Sequence, residues 1–157
     1  MNHETPKLAV DILLCRRYPG LGNAVGEFVA IERKYPPLGF ALPGGFVDVG
    51  ESVEAAAIRE AKEELSMDIA LVGLIGVFSD PARDPRQHVV SCAFLARPLD
   101  GSPPLKAADD AKTARWISML PNGWTNVLWC FDHEQIITKA FSNIGLISNW
   151  GKHCYAI

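Results

Sequence analysis

Apolar residues dominate Lys7 to Cys15 (KLAVDILLC), alternating at the start, and predict a strand. Arg16 to Gly26, with Pro19, Gly20 and Gly22, reads as a loop, and Glu27 to Arg33 as a second strand. Pro36, Pro37 and Gly39 break the chain before a short Phe40 to Leu42 segment. After Pro43-Gly44-Gly45 comes an extended piece, Phe46 to Val49, and a turn at Gly50. Ser52 is placed to cap a helix over Val53 to Leu65, which the alanines at 55, 56, 57 and 61 favour. Asp68 to Phe78 and Gln87 to Ala96 return to strand character, and Ala114 to Ser118 is a shorter strand. The Pro- and Gly-rich stretch from Pro98 to Ala108 is a loop. Ile136, Ile137, Ala140 and Phe141 recur at helical spacing and predict a terminal helix from about Asp132 to Ile144. With no repeat and no linker, this order predicts one α+β domain over residues 1–157, a mixed sheet between helices.

The 157 residues suffice for one self-supporting core. Fifteen Lys and Arg against 18 Asp and Glu, a net of −3, supply no cationic field for a general nucleic-acid binder. No apolar run approaches the ~18 residues of a membrane span. Met1 to Lys7 lacks the layout of a secretory signal, so a cytoplasmic location is expected. Cys15, Cys92, Cys130 and Cys154 are far apart and are expected to be single thiols in a reducing compartment. Neither they nor the four histidines have zinc-ligand spacing.

The charge becomes informative when it is located. Glu51, Glu54, Glu60, Glu63 and Glu64 all fall between positions 51 and 64, against only Arg59 and Lys62. At about 100° per residue, Glu60, Glu63 and Glu64 share one helix face, bordering a stripe of Ala57, Ala61 and Leu65. Glu60 and Glu64 repel at i, i+4, at a cost of roughly 0.2–0.5 kcal/mol. Glu63 and Glu64 also occupy the negative end of the helix dipole. Arg59 reaches Glu63 at i, i+4 and offsets part of this. A divalent cation would turn the repulsion into coordination, and hard oxygen donors suit Mg²⁺ or Mn²⁺. A solvated acidic face is the alternative. The preceding Gly44-Gly45 permits close backbone approach, which favours the metal. No G-K-[ST] follows, so a metal-bridged phosphate site fits better than a P-loop.

Gly45, five residues, Glu51, seven residues, then Arg59-Glu60-Ala61-Lys62-Glu63-Glu64 resembles the Nudix hydrolase signature G-x5-E-x7-R-E-U-x-E-E-x-G-U. Ser66 stands where the last Gly is usual, and Ala61 is small for its apolar slot. The resemblance implies a Nudix-type α/β/α sandwich with a mixed β-sheet. It also implies Mg²⁺-dependent cleavage of a diphosphate by water. Carried over by position, Glu60 and Glu64 would be the principal metal ligands, with Glu63 assisting and the carbonyl of Gly44 completing the set. Arg59 would orient the carboxylates by pairing with Glu51 or Glu63.

Outside the signature, Phe78 to Ser91 (FSDPARDPRQHVVS) resembles the ADP-ribose pyrophosphatase-like subgroup, as do Ala108 to Lys112, Ala114-Arg115-Trp116 and Phe131-Asp132-His133. ADP-ribose is the substrate this implies, with AMP and ribose 5-phosphate as products. Another nucleotide sugar, or an NTP or dNTP, is the alternative. A non-catalytic nucleotide sensor is a further one, opposed by the intact acids and the short stretch beyond the terminal helix. Arg83 and Arg86 are candidates for phosphate or ribose contacts, against local pairing with Asp80 and Asp84. Gly45 would lie against the substrate, and Phe40 is a candidate for stacking on adenine. Asp109 or Asp110, with Asp110 preferred, is the candidate base on its loop. Trp124 and Trp129 lie in an apolar segment, 122–131, that would line the pocket or a partner surface. A homodimer is compatible with the apolar content.

Overall fold

The structure, a computed structural model, describes residues 4–17, 26–107 and 111–142. Strand β1 (Lys7–Arg17) is its organising element. Val10, Ile12 and Leu14 point into one core while Leu13 and Cys15 point into another, and all five are essentially inaccessible to solvent. A strand covered on both faces needs a nearly continuous apolar run, which KLAVDILLC supplies. β1 pairs in parallel with β6 (Val89–Pro98), from Lys7 opposite Val89 to Leu14 opposite Ala96. The other ladders between these described strands are antiparallel: β1 with β2 (Gly26–Arg33) and with β4 (Gly44–Phe46), β2 with β3 (Phe40–Ala41) and β7 (Ala111–Ser118), and β6 with β5 (Ile69–Phe78). The sheet is therefore mixed.

Helix α1 (Val53–Leu65) buries Ala56, Ala57, Ala61 and Leu65 against one face of the sheet. The short helix α2 (Pro121–Trp124) and helix α3 (His133–Ser142) cover the other face, with Trp124, Ile136, Ile137 and Ala140. This is the α/β/α sandwich. Burial of each Leu or Ile side chain contributes about 1.5–3 kcal/mol, so these two cores dominate stability. No helix among the described residues is long and apolar enough to cross a membrane.

The expected bounds of α1 are those observed, because Ser52 caps it: its side chain accepts a hydrogen bond from the Ala55 N–H at 3.1 Å. β4 departs from the expected Phe46 to Val49 piece, since the glycines themselves pair with β1, Val10 opposite Gly45 and Asp11 opposite Gly44. A Cβ at Gly44, which has φ +154°, would run into the carbonyl of Val10, so the missing side chain is what lets the strand form. α2 was not expected; Pro121 begins it at a position where a missing N–H is harmless. Trp124 and Trp129 belong to the core: Trp124 meets Phe141 edge-on at 5.6 Å, and Trp129 stacks on Phe28 at 5.9 Å. Cys15, Cys92 and Cys130 are free thiols, and Cys154 lies outside the described residues.

Ser66 ends α1 in the left-handed region, φ 58° and ψ 22°, with its N–H bonded to the carbonyl of Lys62. A non-glycine residue there costs roughly 1–2 kcal/mol, partly offset by the entropy a glycine loses on folding. Ser66→Gly is expected to stabilise the domain by about 1 kcal/mol, which thermal unfolding would register as a rise of roughly 2–4 °C.

Candidate active site

β4 and α1 are brought together by the signature segment. Arg59 is the hub. Its Nε and Nη2 donate to the two carboxylate oxygens of Glu51, both at 2.9 Å. Nη1 donates to Glu60 at 2.8 Å and to Glu63 at 3.0 Å, and Nη2 also reaches the carbonyl of Phe46 at 3.0 Å. One guanidinium thus binds three carboxylates and ties the helix to β4. This is how the fold tolerates the like charges on one helix face. Hydrogen bonding to Arg59 holds Glu51 below the usual carboxylate range. The same carboxylates, Glu51 foremost, stabilise the charged Arg59.

Glu64 stands apart from this hub. Burial pushes its pKa up to about 7, although the Gly44 N–H donates to its carboxylate at 2.9 Å. Glu60 is raised as well, again mainly by burial. A Cβ at Gly45 would strike the Glu60 carboxylate. The two glycines therefore serve different neighbours: Gly44 clears the β1 backbone, and Gly45 leaves room for Glu60.

Among the described residues, no three His, Cys, Asp or Glu side chains already surround a single point as a metal-ligand set. The donor chemistry nevertheless fits a hard divalent cation. Glu64 is a half-buried carboxylate whose charge is penalised by its surroundings, flanked by Glu60 and by glycine backbone that admits close approach. An added cation would relieve that penalty.

Glu64, Gly44, Gly45 and Phe46 line one wall of a cavity of about 210 Å³. Asp11, Arg33, Arg83, Asp84, Arg86, Phe131 and His133 line the remainder of its polar and aromatic surface. Arg86 pairs with Asp84 through Nε at 2.9 Å and Nη2 at 2.7 Å, with its side chain still 47% exposed. Arg83 departs from the expected freedom to reach a ligand and from the expected Asp80 and Asp84 partners. Its side chain is 4% exposed, and it donates to Asp132 at 2.9 and 2.6 Å and to Asp11 at 2.9 Å. Burial would raise Asp11; its contact with His133, the charge of Arg83 and the hydrogen bond from Ser91 outweigh it and hold Asp11 below the usual carboxylate range.

His133 completes this network. The Leu42 N–H donates to its Nδ1 at 2.8 Å, so the ring proton sits on Nε2, which faces Asp11 at 3.1 Å. The start of α3 is thereby tied to the residue two before Gly44. Asp11, His133, Phe131 and Arg33 were missed in the sequence. Phe131 and His133 carried a signal in the Phe131-Asp132-His133 motif, whereas Asp11 and Arg33 looked like ordinary strand residues.

Phe40 lies outside the cavity. It packs beside Trp129 with the Arg115 guanidinium 4.3 Å above its ring, and its backbone bonds Leu128 and Cys130. Phe46 and Phe131 are the aromatic residues on the cavity wall. Asp109 and Asp110 lie outside the described residues.

Fold and site together define an α/β/α domain that presents a helix of glutamates and a glycine strand to one cavity. The NUDIX domain family matches residues 6–121, and the chain belongs to that family. An ADP-ribose pyrophosphatase of Methanocaldococcus jannaschii is 42% identical over 136 residues, 84% of this chain and 71% of the relative. A MutT/nudix family protein from Enterococcus faecalis superposes with a TM-score of 0.80 at 31% identity, over 92% of this chain and 64% of that one. A bifunctional NMN adenylyltransferase/ADP ribose pyrophosphatase from Francisella tularensis, complexed with AMP and a Mn ion, superposes at 0.73 with 27% identity, over 91% and 43%. The chain thus spans less than two thirds of either solved structure. Family membership makes it a hydrolase of pyrophosphate bonds, in a family that generally depends on a divalent metal.

Proposed function

We propose that the chain cleaves the diphosphate of ADP-ribose with Mg²⁺, giving AMP and ribose 5-phosphate. The observation that carries this reading is the meeting of Glu64 with Gly44 and Gly45 on the wall of a cavity that arginines also line. The likeness to an ADP-ribose pyrophosphatase over 84% of the chain supports the choice of substrate.

In this reading Glu60 and Glu64 hold the cation, with Glu63 and the Gly44 carbonyl assisting. When bound, the cation offsets charge on the transferring phosphoryl group and acidifies a water. Arg59 fixes the carboxylate array, so little reorganisation remains for the reaction step. Arg86 faces the same cavity with an exposed guanidinium able to bind phosphate. Initial rates on ADP-ribose, a nucleotide sugar and a dNTP, each with Mg²⁺, test the substrate. ADP-ribose is expected to be cleaved fastest; rapid dNTP cleavage beside negligible ADP-ribose cleavage would overturn the choice.

Metal uptake should also depend on pH. Glu64 must lose its proton to become a ligand, and its pKa is raised to about 7. Mn²⁺ affinity of the metal-free protein is therefore expected to rise from pH 5 to about 7 and then level off, with proton release at the lower pH. Calorimetry in buffers of different ionisation enthalpy measures both. A flat affinity with no proton release would remove Glu64 from the ligand set.

A further inference from the structure

We propose that Arg33, Phe131 and Arg86 form an anion clamp that holds the diphosphate of the substrate opposite the Glu64 wall of the cavity. The Arg33 and Arg86 guanidinium carbons lie 5.0 and 5.2 Å from the centroid of the same Phe131 ring. Arg33 comes from the end of β2 and Arg86 from the segment between β5 and β6, so the aromatic ring is what gathers them. All three residues line the cavity that contains Gly44, Gly45 and Glu64.

The charge balance of this stack points to a ligand. Arg86 has Asp84 as its ion-pair partner. Arg33 makes no ion pair among the described residues; its Nε donates to the carbonyl of Pro37 at 2.9 Å. Two cations held against one ring, only one of them in a direct ion pair, repel in a concave site of reduced dielectric. A bound anion converts that repulsion into bidentate hydrogen bonding. Arg33 also bears on Glu64 electrostatically, so an anion beside Arg33 lies next to the carboxylate wall.

The backbone adds an independent observation. Phe131 has φ 58°, a left-handed conformation that a bulky residue rarely adopts. Its neighbours enforce it: the Cys130 N–H bonds the carbonyl of Phe40, and His133 accepts from Leu42. The strain aims the ring at the cavity. At about 210 Å³ the cavity is below the roughly 300–1,000 Å³ of whole-ligand pockets, so it encloses a diphosphate and leaves the rest of a nucleotide outside.

The clamp rests on the hydrolase reading only in taking its ligand to be a diphosphate; it does not depend on which nucleoside or sugar is attached. The test is calorimetric binding of methylene diphosphonate, a non-hydrolysable diphosphate, at fixed saturating Mg²⁺. Arg33→Met is expected to weaken binding at least ten-fold, Arg33→Lys to recover part of the loss, and Phe131→Leu to weaken binding several-fold. Arg115→Met serves as control, because Arg115 makes the same kind of ring contact with Phe40 outside the cavity; its affinity should equal wild type. The melting temperature of Arg33→Met should stay near that of wild type, which separates ligand binding from a structural role. Wild-type affinity for the diphosphonate in Arg33→Met would overturn the clamp. If dNTP displaces ADP-ribose as the preferred substrate while Arg33→Met still loses diphosphonate affinity, the substrate choice fails and the clamp stands.

Discussion

Glu64→Gln is expected to lower kcat about a thousand-fold or more while leaving the fold intact. The Gln side-chain carbonyl can still accept the Gly44 N–H that Glu64 accepts at 2.9 Å, so the link between α1 and β4 survives. What is lost is the negative charge proposed to hold the cation, and metal stabilisation of a transferring phosphoryl group is worth several kcal/mol, with each 1.4 kcal/mol a factor of ten. Stability should move differently from activity. Glu64 has a folded-state pKa raised to about 7 by burial, so the folded chain holds its proton more tightly than the unfolded chain does. That contribution is fully present below about pH 4.5 and is lost as pH rises through about 7. The metal-free variant should therefore melt at or above wild type at pH 8, and the difference between the two should shrink in acid. Parallel kinetics and melting curves check both. Unchanged turnover would remove Glu64 from the chemistry.

Arg83→Met is expected to destabilise the protein by about 3–5 kcal/mol, the cost of leaving buried carboxylates without their cation. Asp11 and Asp132 have side chains only 10% and 8% exposed, and Arg83 bonds both. Against a typical total of about 5–15 kcal/mol, such a loss removes a large fraction of the folded population's margin. Arg86→Met is the contrasting variant. Its pair with Asp84 is half exposed on the arginine side, and exposed ion pairs contribute about 0–1 kcal/mol. Urea denaturation of both variants reads the difference. Equal midpoints would contradict the division of labour assigned here, in which Arg83 builds the site and Arg86 faces the ligand.

The two arginines mark where sequence reasoning stopped. FSDPARDPRQHVVS presents them three residues apart in a similar local setting, and only the tertiary structure reveals that one reaches Asp11, 72 residues away. Local patterns were far more legible. The Ser52 cap and the alanine stripe set α1, and the alternation of Val10, Ile12 and Leu14 against Leu13 and Cys15 made β1 the doubly buried strand. Glu51, Arg59, Glu60, Glu63 and Glu64 were readable as a group because the second half of one helix and the loop that precedes it contain them all. The repulsion that pointed to a cation is largely absorbed by Arg59, and Glu64 is the carboxylate left outside its reach.

Phe40 and Phe131 show the converse. Phe40 is near Gly44 in the chain, yet strand alternation and the zipped 128–130 segment direct it into the core beside Trp129. Phe131 is remote in sequence and reaches the cavity because α3 is anchored through His133 to Leu42. Nothing in the spacing of either residue encodes that exchange. Arg33 was hidden for a similar reason: at the end of a strand it looks like an ordinary surface cation, and that it makes no ion pair among the described residues is a property of the fold.

The central claim is hydrolysis of the ADP-ribose diphosphate at the Glu64 and Gly44–Gly45 wall. Its most direct test is product identification after incubating the chain with ADP-ribose and Mg²⁺ in water labelled with heavy oxygen. AMP and ribose 5-phosphate in equal amounts, with one labelled oxygen on the phosphate that was attacked, is the predicted result. Intact ADP-ribose after prolonged incubation, or products carrying no label, would contradict it.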